Sequence, residues 1–490
     1  MKNLIRIIAV LLCVAICSLS FAACDKDTTS SDQSADNSSA ELTSSDTSSK
    51  GDEADLTKPE QVMFDNKDDT YWKPEKEEGG SIEFSFESEK SFNSITFKEF
   101  DDEITDFFVE IKKDGEWVEI LHADEMRVRT CILDKTYTAK DVRLTVSKPA
   151  DQLDCGVSEM LFEEKGKIDG TNNIRNVGYY TASRLDKMRE DNFDELKYLT
   201  DVILFDFGSW DKNGNFIWSE TYNEEFLQDT LAELKEVLGG RKINMWFCLQ
   251  NYHKASTENT GELFKTESSR KNLTKFAIDI CKKYGFIGVD IDYEYPTNSS
   301  GYGDVAWSQY DLFLNYAAKE LHKNGLKLSC AMYPSKVALS KETVSGIDFI
   351  NIMSYDMHGF DEKLRMNSRF FVCQYSLDYF VGLGFKPEQL TLGLPFYCRI
   401  YDGTTSQGGG GYKWIINRFR GGINNWINRV DTGSQVFSFN SPDMIRDKTY
   451  FAMENQMAGV FCWCMGSDVG HDDPRSLSLT VGKTIERFSK

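Results

Sequence analysis

Short runs of alternating apolar and polar residues open the foldable part of the chain: SIEFSFE at 81–87, SITFKEF at 94–100, FFVEIKKDGEWVEI at 107–120 and DVRLTVS at 141–147. A period of two marks strands with one buried face. Lys113-Asp114-Gly115-Glu116 divides the third run, and an Asp-Gly pair tolerates the positive φ of a hairpin turn. These runs predict an antiparallel β-sandwich over 57–165. After residue 166 the pattern changes. Apolar runs at 174–180, 201–207, 242–249, 287–292, 326–333, 348–355, 390–396 and 458–464 alternate with stretches such as 224–239, 269–285 and 308–325, where apolar residues recur every three to four positions. All three of these stretches end on glycine, the residue suited to a helix C-cap. Strand and helix alternating eight times predict an α/β fold, a (β/α)8 TIM barrel, over 166–490. An open doubly wound sheet is the competing architecture, but no glycine-rich phosphate loop follows the first strand.

The ends and the composition refine this picture. Residues 1–24 carry Lys2 and Arg6, then an apolar core, then small residues, which is the layout of an export signal. FAAC at 21–24 resembles a bacterial lipoprotein box with Cys24 as the lipidated residue, although Phe21 stands where Leu is usual. Residues 25–56 hold almost no large apolar side chain and predict a disordered Ser/Thr/Asp-rich linker. The protein is expected on the extracellular side of a bacterial membrane as a lipoprotein, or secreted, with the lipid anchor its sole membrane contact. With 78 acidic against 56 basic residues the net charge is −22, which repels phosphate backbones and argues against nucleic acid as a partner. Of twelve cysteines, Cys13, Cys17 and Cys24 fall in the signal, and Cys281, Cys330, Cys373 and Cys462 sit in apolar runs that predict buried free thiols. Cys131 and Cys155 are a candidate pair. No Cys/His spacing suits a metal, and no metal or cofactor is expected.

The stretch FIGVDIDYEYP at 286–296 places Asp290, Asp292 and Glu294 at alternate positions of an apolar strand. Alternation turns Val289, Ile291 and Tyr293 to the helices and the three acids into the barrel mouth, about 6–7 Å apart along the strand. Active residues of such barrels sit where strands end. Like charges buried this closely force at least one carboxyl to hold a proton at neutral pH, which readies an acid to protonate a leaving group.

The motifs of the second unit resemble glycoside hydrolase family 18, the chitinases and endo-β-N-acetylglucosaminidases. IGVDIDYE at 287–294 is similar to the family's DGxDxDxE pattern and is followed by Tyr295-Pro296 as in many chitinases. MSYDMHG at 353–359 resembles the MxYD motif, LGLPFYCR at 392–399 the LGxPxYGR pattern, GVFCWCMGSD at 459–468 the eighth-strand segment with its tryptophan, and VGYY at 177–180 the first strand. The resemblance implies a substrate-assisted retaining mechanism. Glu294 is then the acid and base, and Asp292 holds the acetamide N–H with Asp290 behind it sharing charge or a proton. It further implies that Tyr355, inward with Met353, bonds the acetamide carbonyl, that Trp463 floors the sugar, that Tyr179 contacts Asp290, and that Asp356 and Tyr397 line the cleft. The implied partner is an N-acetylglucosamine-containing glycan, bound by a monomer.

DNKDDTYW at 65–72, FFVEIKKDGEW at 107–117, AKDVRLTV at 139–146 and VSEMLFEE at 157–164 resemble the discoidin-like (coagulation factor C-type) carbohydrate-binding modules. In that family the position of Trp72 is usually internal packing. A structural spacer is the other reading of this unit. Within the barrel the chain departs from the family in three places. Ile287 replaces the first Asp, WFCLQNYH at 246–253 stands in place of the third-strand SxGG, and Cys398 replaces the Gly of YGR. Residues 399–457, with SQGGGGYKWIINRFRGG, read as a reduced insertion that bears on the cleft. Action on chitin or chito-oligosaccharides is expected first, action on N-glycans or cell-wall glycans second. A non-catalytic, lectin-like protein is a third reading, against which Glu294 argues.

Overall fold

A computed structural model describes residues 61–74, 79–100, 104–149, 156–250, 260–294, 306–357, 366–403 and 405–490. The signal, Cys24, the linker, Cys155 and Tyr295-Pro296 lie outside them. The N-terminal strands are Gly80–Phe100, Ile104–Lys113, Glu116–Ala123, Arg129–Pro149 and Gly156–Glu163. They form one antiparallel sheet in the order third, second, fourth, first, fifth. The runs at 81–87 and 94–100, expected as separate strands, are two halves of one. Its register against Arg129–Pro149 shifts between Ser85 and Lys90 and again between Phe92 and Ser94. Such irregularities bend a strand, and here they fold the sheet over itself. Phe84 of the first half meets Phe162, which belongs to the strand paired with the second half, at 6.0 Å between ring centroids. Phe97 of the second half meets Phe107 at 5.0 Å. A single sheet thus supplies both layers of the sandwich around one apolar core. Trp72 is buried in that core, where it packs and offers no face to a sugar. Cys131 is buried there, and its candidate partner Cys155 lies outside the described residues. The hairpin turns at Asp114 and Gly115, both with positive φ (53° and 92°).

The second part is a closed parallel barrel whose strands neighbour one another in chain order, the eighth pairing with the first. Its strands are Arg175–Thr181, Asp201–Phe205, Asn244–Gln250, Gly288–Asp292, Lys327–Met332, Phe349–Ile352, Leu390–Pro395 and Gly459–Trp463. Each falls on one of the eight apolar runs. The helices Glu224–Leu238, Glu267–Tyr284 and Trp307–Lys323 occupy the three periodic stretches. Two apolar layers divide the side chains. Val289 and Ile291 pack between strands and helices, whereas Tyr179, Ile203, Trp246, Phe349 and Phe461 fill the barrel's interior. Ile287, in place of the expected acid, packs against that interior layer. Gly288 has no room for a side chain, because a Cβ there would stand 2.2 Å from the Lys327 carbonyl oxygen. The fourth and fifth strands can therefore lie close at the point where the acidic segment begins. Between the seventh and eighth strands a four-stranded antiparallel sheet is inserted, ordered Thr405–Gly411, Tyr397–Asp402, Val436–Ser438, Arg429–Asp431. It carries Arg399 to the barrel mouth.

Candidate active site

The fourth strand ends at Asp292, yet the alternation runs on past it. Tyr293 turns outward against Trp210, Phe264 and Tyr310, and Glu294 returns to a cleft of about 660 Å³ at the mouth of the barrel. Asp292, Tyr179, Met353, Tyr355, Asp356 and Trp463 line the same cleft. Asp290 lies one step deeper, fully buried. Tyr397 stands behind Asp356 and gives it a hydrogen bond of 2.7 Å.

Asp290 is fully buried, and four side chains donate to its carboxylate. Its Oδ2 accepts from the Tyr179 hydroxyl at 2.9 Å and from the Cys248 thiol at 3.5 Å. Its Oδ1 accepts from Ser329 Oγ at 2.6 Å and from Asn351 Nδ2 at 3.2 Å. Thr391 donates to Asn351 Oδ1 at 2.6 Å, which orients the amide so that its nitrogen faces Asp290. Burial nonetheless raises the Asp290 carboxyl above its ordinary range, against the pull of these donors. Asp292 has no such support. Its Oδ1 is buried and lacks a hydrogen-bond partner among the described residues. Burial first, then the neighbouring Glu294 and Asp290, push its carboxyl well above the usual value. The Asp292 carboxyl thus lines the cleft with its Oδ1 unserved by any donor among the described residues.

The walls are placed with equal definition. Phe205 and Tyr179 meet the Trp463 ring edge-on at 4.9 and 5.4 Å and hold its plane over the cleft floor. Tyr355 is buried, and burial raises its hydroxyl well above the ordinary value, so it stays a donor. Asp356 adopts φ of 58°, a conformation that non-glycine residues hold only when their surroundings impose it. Here Tyr397, Arg399 and the Asn367 side chain impose it, Arg399 Nε donating at 2.7 Å and Asn367 Oδ1 accepting the Asp356 N–H at 3.0 Å. Among the described residues no group of His, Cys, Asp and Glu is arranged to hold a metal.

Several members of the site escaped sequence reasoning. Arg399 and Tyr333 line the cleft, and Ser329, Asn351 and Cys248 support Asp290. A signal for Ser329 and Asn351 does exist, namely a lone polar residue within an apolar barrel strand. Cys248, where the family carries its small-residue motif, lies directly beside Asp290 in strand register.

Paired carboxylates at the end of the fourth strand of a (β/α)8 barrel, set over an aromatic floor, define the glycoside-hydrolase class of site. The model of glycosyl hydrolases family 18 matches residues 175–468, and the chain belongs to that family. The model of the F5/8 type C domain matches residues 41–159. "Probable chitinase 2" of Drosophila melanogaster is 26% identical over 247 residues, covering 41% of this chain and 51% of that protein, so the chain spans about half the length of this relative. Among solved structures, the chitinase ChiB of Flavobacterium johnsoniae is 22% identical with a TM-score of 0.52, covering 64% of this chain and 94% of the other. Catalytic domain 2 of a group II chitinase from Ostrinia furnacalis is 18% identical with a TM-score of 0.55, covering 64% and 97%. These likenesses establish the barrel fold.

Proposed function

We propose that the protein hydrolyses β-1,4-linked N-acetylglucosamine, in chitin or chito-oligosaccharides, with retention of configuration and with the substrate's own acetamide as nucleophile. The observation that carries this reading is the buried, unpartnered Oδ1 of Asp292 between Asp290 and Glu294 on the cleft wall. An acetamide N–H is a partner suited to such an acceptor. It also explains why the chain tolerates an acid that burial and two like charges make costly.

In this mechanism Glu294 gives its proton to the glycosidic oxygen as the bond to C1 breaks. The acetamide carbonyl oxygen bonds to C1 and forms an oxazolinium ion. Asp292 accepts the amide N–H and stabilises the cation, while Asp290, anchored by its donors, shares charge or a proton from below. Tyr355 donates to the acetamide oxygen and holds it beneath C1. Glu294, now ionised, takes a proton from the water that opens the ring. Trp463 offers its face to the C–H side of the bound pyranose. Cys24, if lipidated, tethers this activity to the outer face of a membrane through the polar linker, with the sandwich a candidate glycan-binding module.

The test is a product profile on chito-oligosaccharides and on a high-mannose glycopeptide, side by side, with the first-formed anomer read by NMR. Short N-acetylated oligomers released in the β form are expected. Cleavage confined to the glycopeptide overturns the chitin reading, and release of the α anomer overturns the mechanism.

A further inference from the structure

We infer that Glu125, in the sandwich, is a positioning residue for Tyr355 and Asp356, so that the N-terminal unit completes the catalytic site. The inference rests on the functional reading above.

Residues 54–490 form one compact unit, and the segment after the strand Glu116–Ala123 enters the barrel. Asp124 accepts from the Asn428 backbone N–H and side-chain amide, both at 2.6 Å. Glu125, 0% exposed, accepts from Arg369 Nε at 3.0 Å and from the Phe370 N–H at 3.2 Å. Arg129 anchors the segment from its far end. It donates to the Glu125 carbonyl at 3.0 Å and to Asp447 Oδ2 at 2.9 Å.

What Glu125 grips is the end of a brace. The two residues before Arg369 hold the backbone on either side of Tyr355. Ser368 Oγ donates to the Ser354 carbonyl at 2.6 Å, and Asn367 Oδ1 accepts the Asp356 N–H at 3.0 Å. Lys448 clamps the middle of the brace, its Nζ donating to the Ser368 carbonyl and hydroxyl at 2.7 Å each. Three consecutive residues thus link a sandwich carboxylate to both flanks of the tyrosine assigned to the acetamide. The positive φ of Asp356 raises the need for such a brace, because a strained backbone relaxes when one of its restraints is lost. A tyrosine displaced by a fraction of an ångström loses its aim at the acetamide oxygen, and misplacement of that order costs catalysis steeply.

The test uses the full chain, with E125A, E125Q and the paired variant E125M/R369M. The readouts are kcat on a fluorogenic chitobioside, and the Kd and stoichiometry of a chitobiose thiazoline, a stable mimic of the oxazolinium ion. Positioning predicts that E125A lowers kcat and weakens the thiazoline about tenfold or more with stoichiometry near one. E125Q, whose amide oxygen can still accept both donors, should retain most of the activity. If E125A gives no cooperative melt, E125M/R369M, which removes both members of the buried ion pair together, carries the same expectation. A merely structural role instead lowers the stoichiometry at unchanged Kd, and that result, or unchanged kcat and Kd in every variant, overturns the proposal. Native protein that neither cleaves the chitobioside nor binds the thiazoline overturns the functional reading itself.

Discussion

Replacing Glu294 with glutamine is expected to lower turnover of a fluorogenic chitobioside by about a hundred- to ten-thousand-fold, the usual contribution of a general acid–base group. Glutamine keeps the size and polarity of the side chain on the cleft wall but cannot deliver a proton to the glycosidic oxygen. Substrate affinity should remain close to that of the native protein, since the groups assigned to hold the sugar, Trp463, Asp292 and Tyr355, line other parts of the cleft. The loss should be greater on unmodified chitotriose than on the fluorogenic compound, whose better leaving group needs less protonation. Steady-state kinetics together with calorimetric binding separate the two terms. Native turnover in the variant removes Glu294 from the acid's role.

Asp292→Asn should produce two effects of opposite sign. Activity should fall by about a hundred- to a thousand-fold, the scale of losing one group that stabilises developing charge. Stability at neutral pH should rise. The Asp292 carboxyl has its folded pKa well above the ordinary 3.8, through burial and then Glu294 and Asp290. The stability contributed by this protonated group is fully present below the unfolded value and is lost as pH rises through the folded one. Asparagine holds no titrating proton and escapes that loss. Melting temperatures of the two proteins should therefore converge near pH 4 and separate at pH 7.5 with the variant higher. Equal melting at both values would remove the strained-acid account of this residue.

The barrel was legible because its strands are apolar runs bounded by periodic helices, and each run of that kind became a strand. The site was legible where one strand carried it. Asp290, Asp292 and Glu294 share a face by period two. Tyr355 and Met353 follow from the same rule just past the end of the sixth strand. Contacts made between distant segments left no such trace. Phe84 meets Phe162 only because one strand bends over itself, so the sandwich was read with two strands where one is present. Glu125 is separated from Arg369 by 244 positions, and nothing local marks either as a partner. Arg399 reaches the cleft on an inserted sheet whose docking is decided by tertiary packing.

Most directly, the account is tested by paired rates on two glycosides that differ only in the C2 substituent of each sugar, a chitobioside and a cellobioside carrying the same fluorogenic leaving group. If the substrate's acetamide is the nucleophile, only the chitobioside is cleaved, and the cellobioside stays at the rate of the uncatalysed reaction. Comparable rates on both would mean that the protein itself supplies the nucleophile, and the roles given to Asp292 and Tyr355 would be wrong.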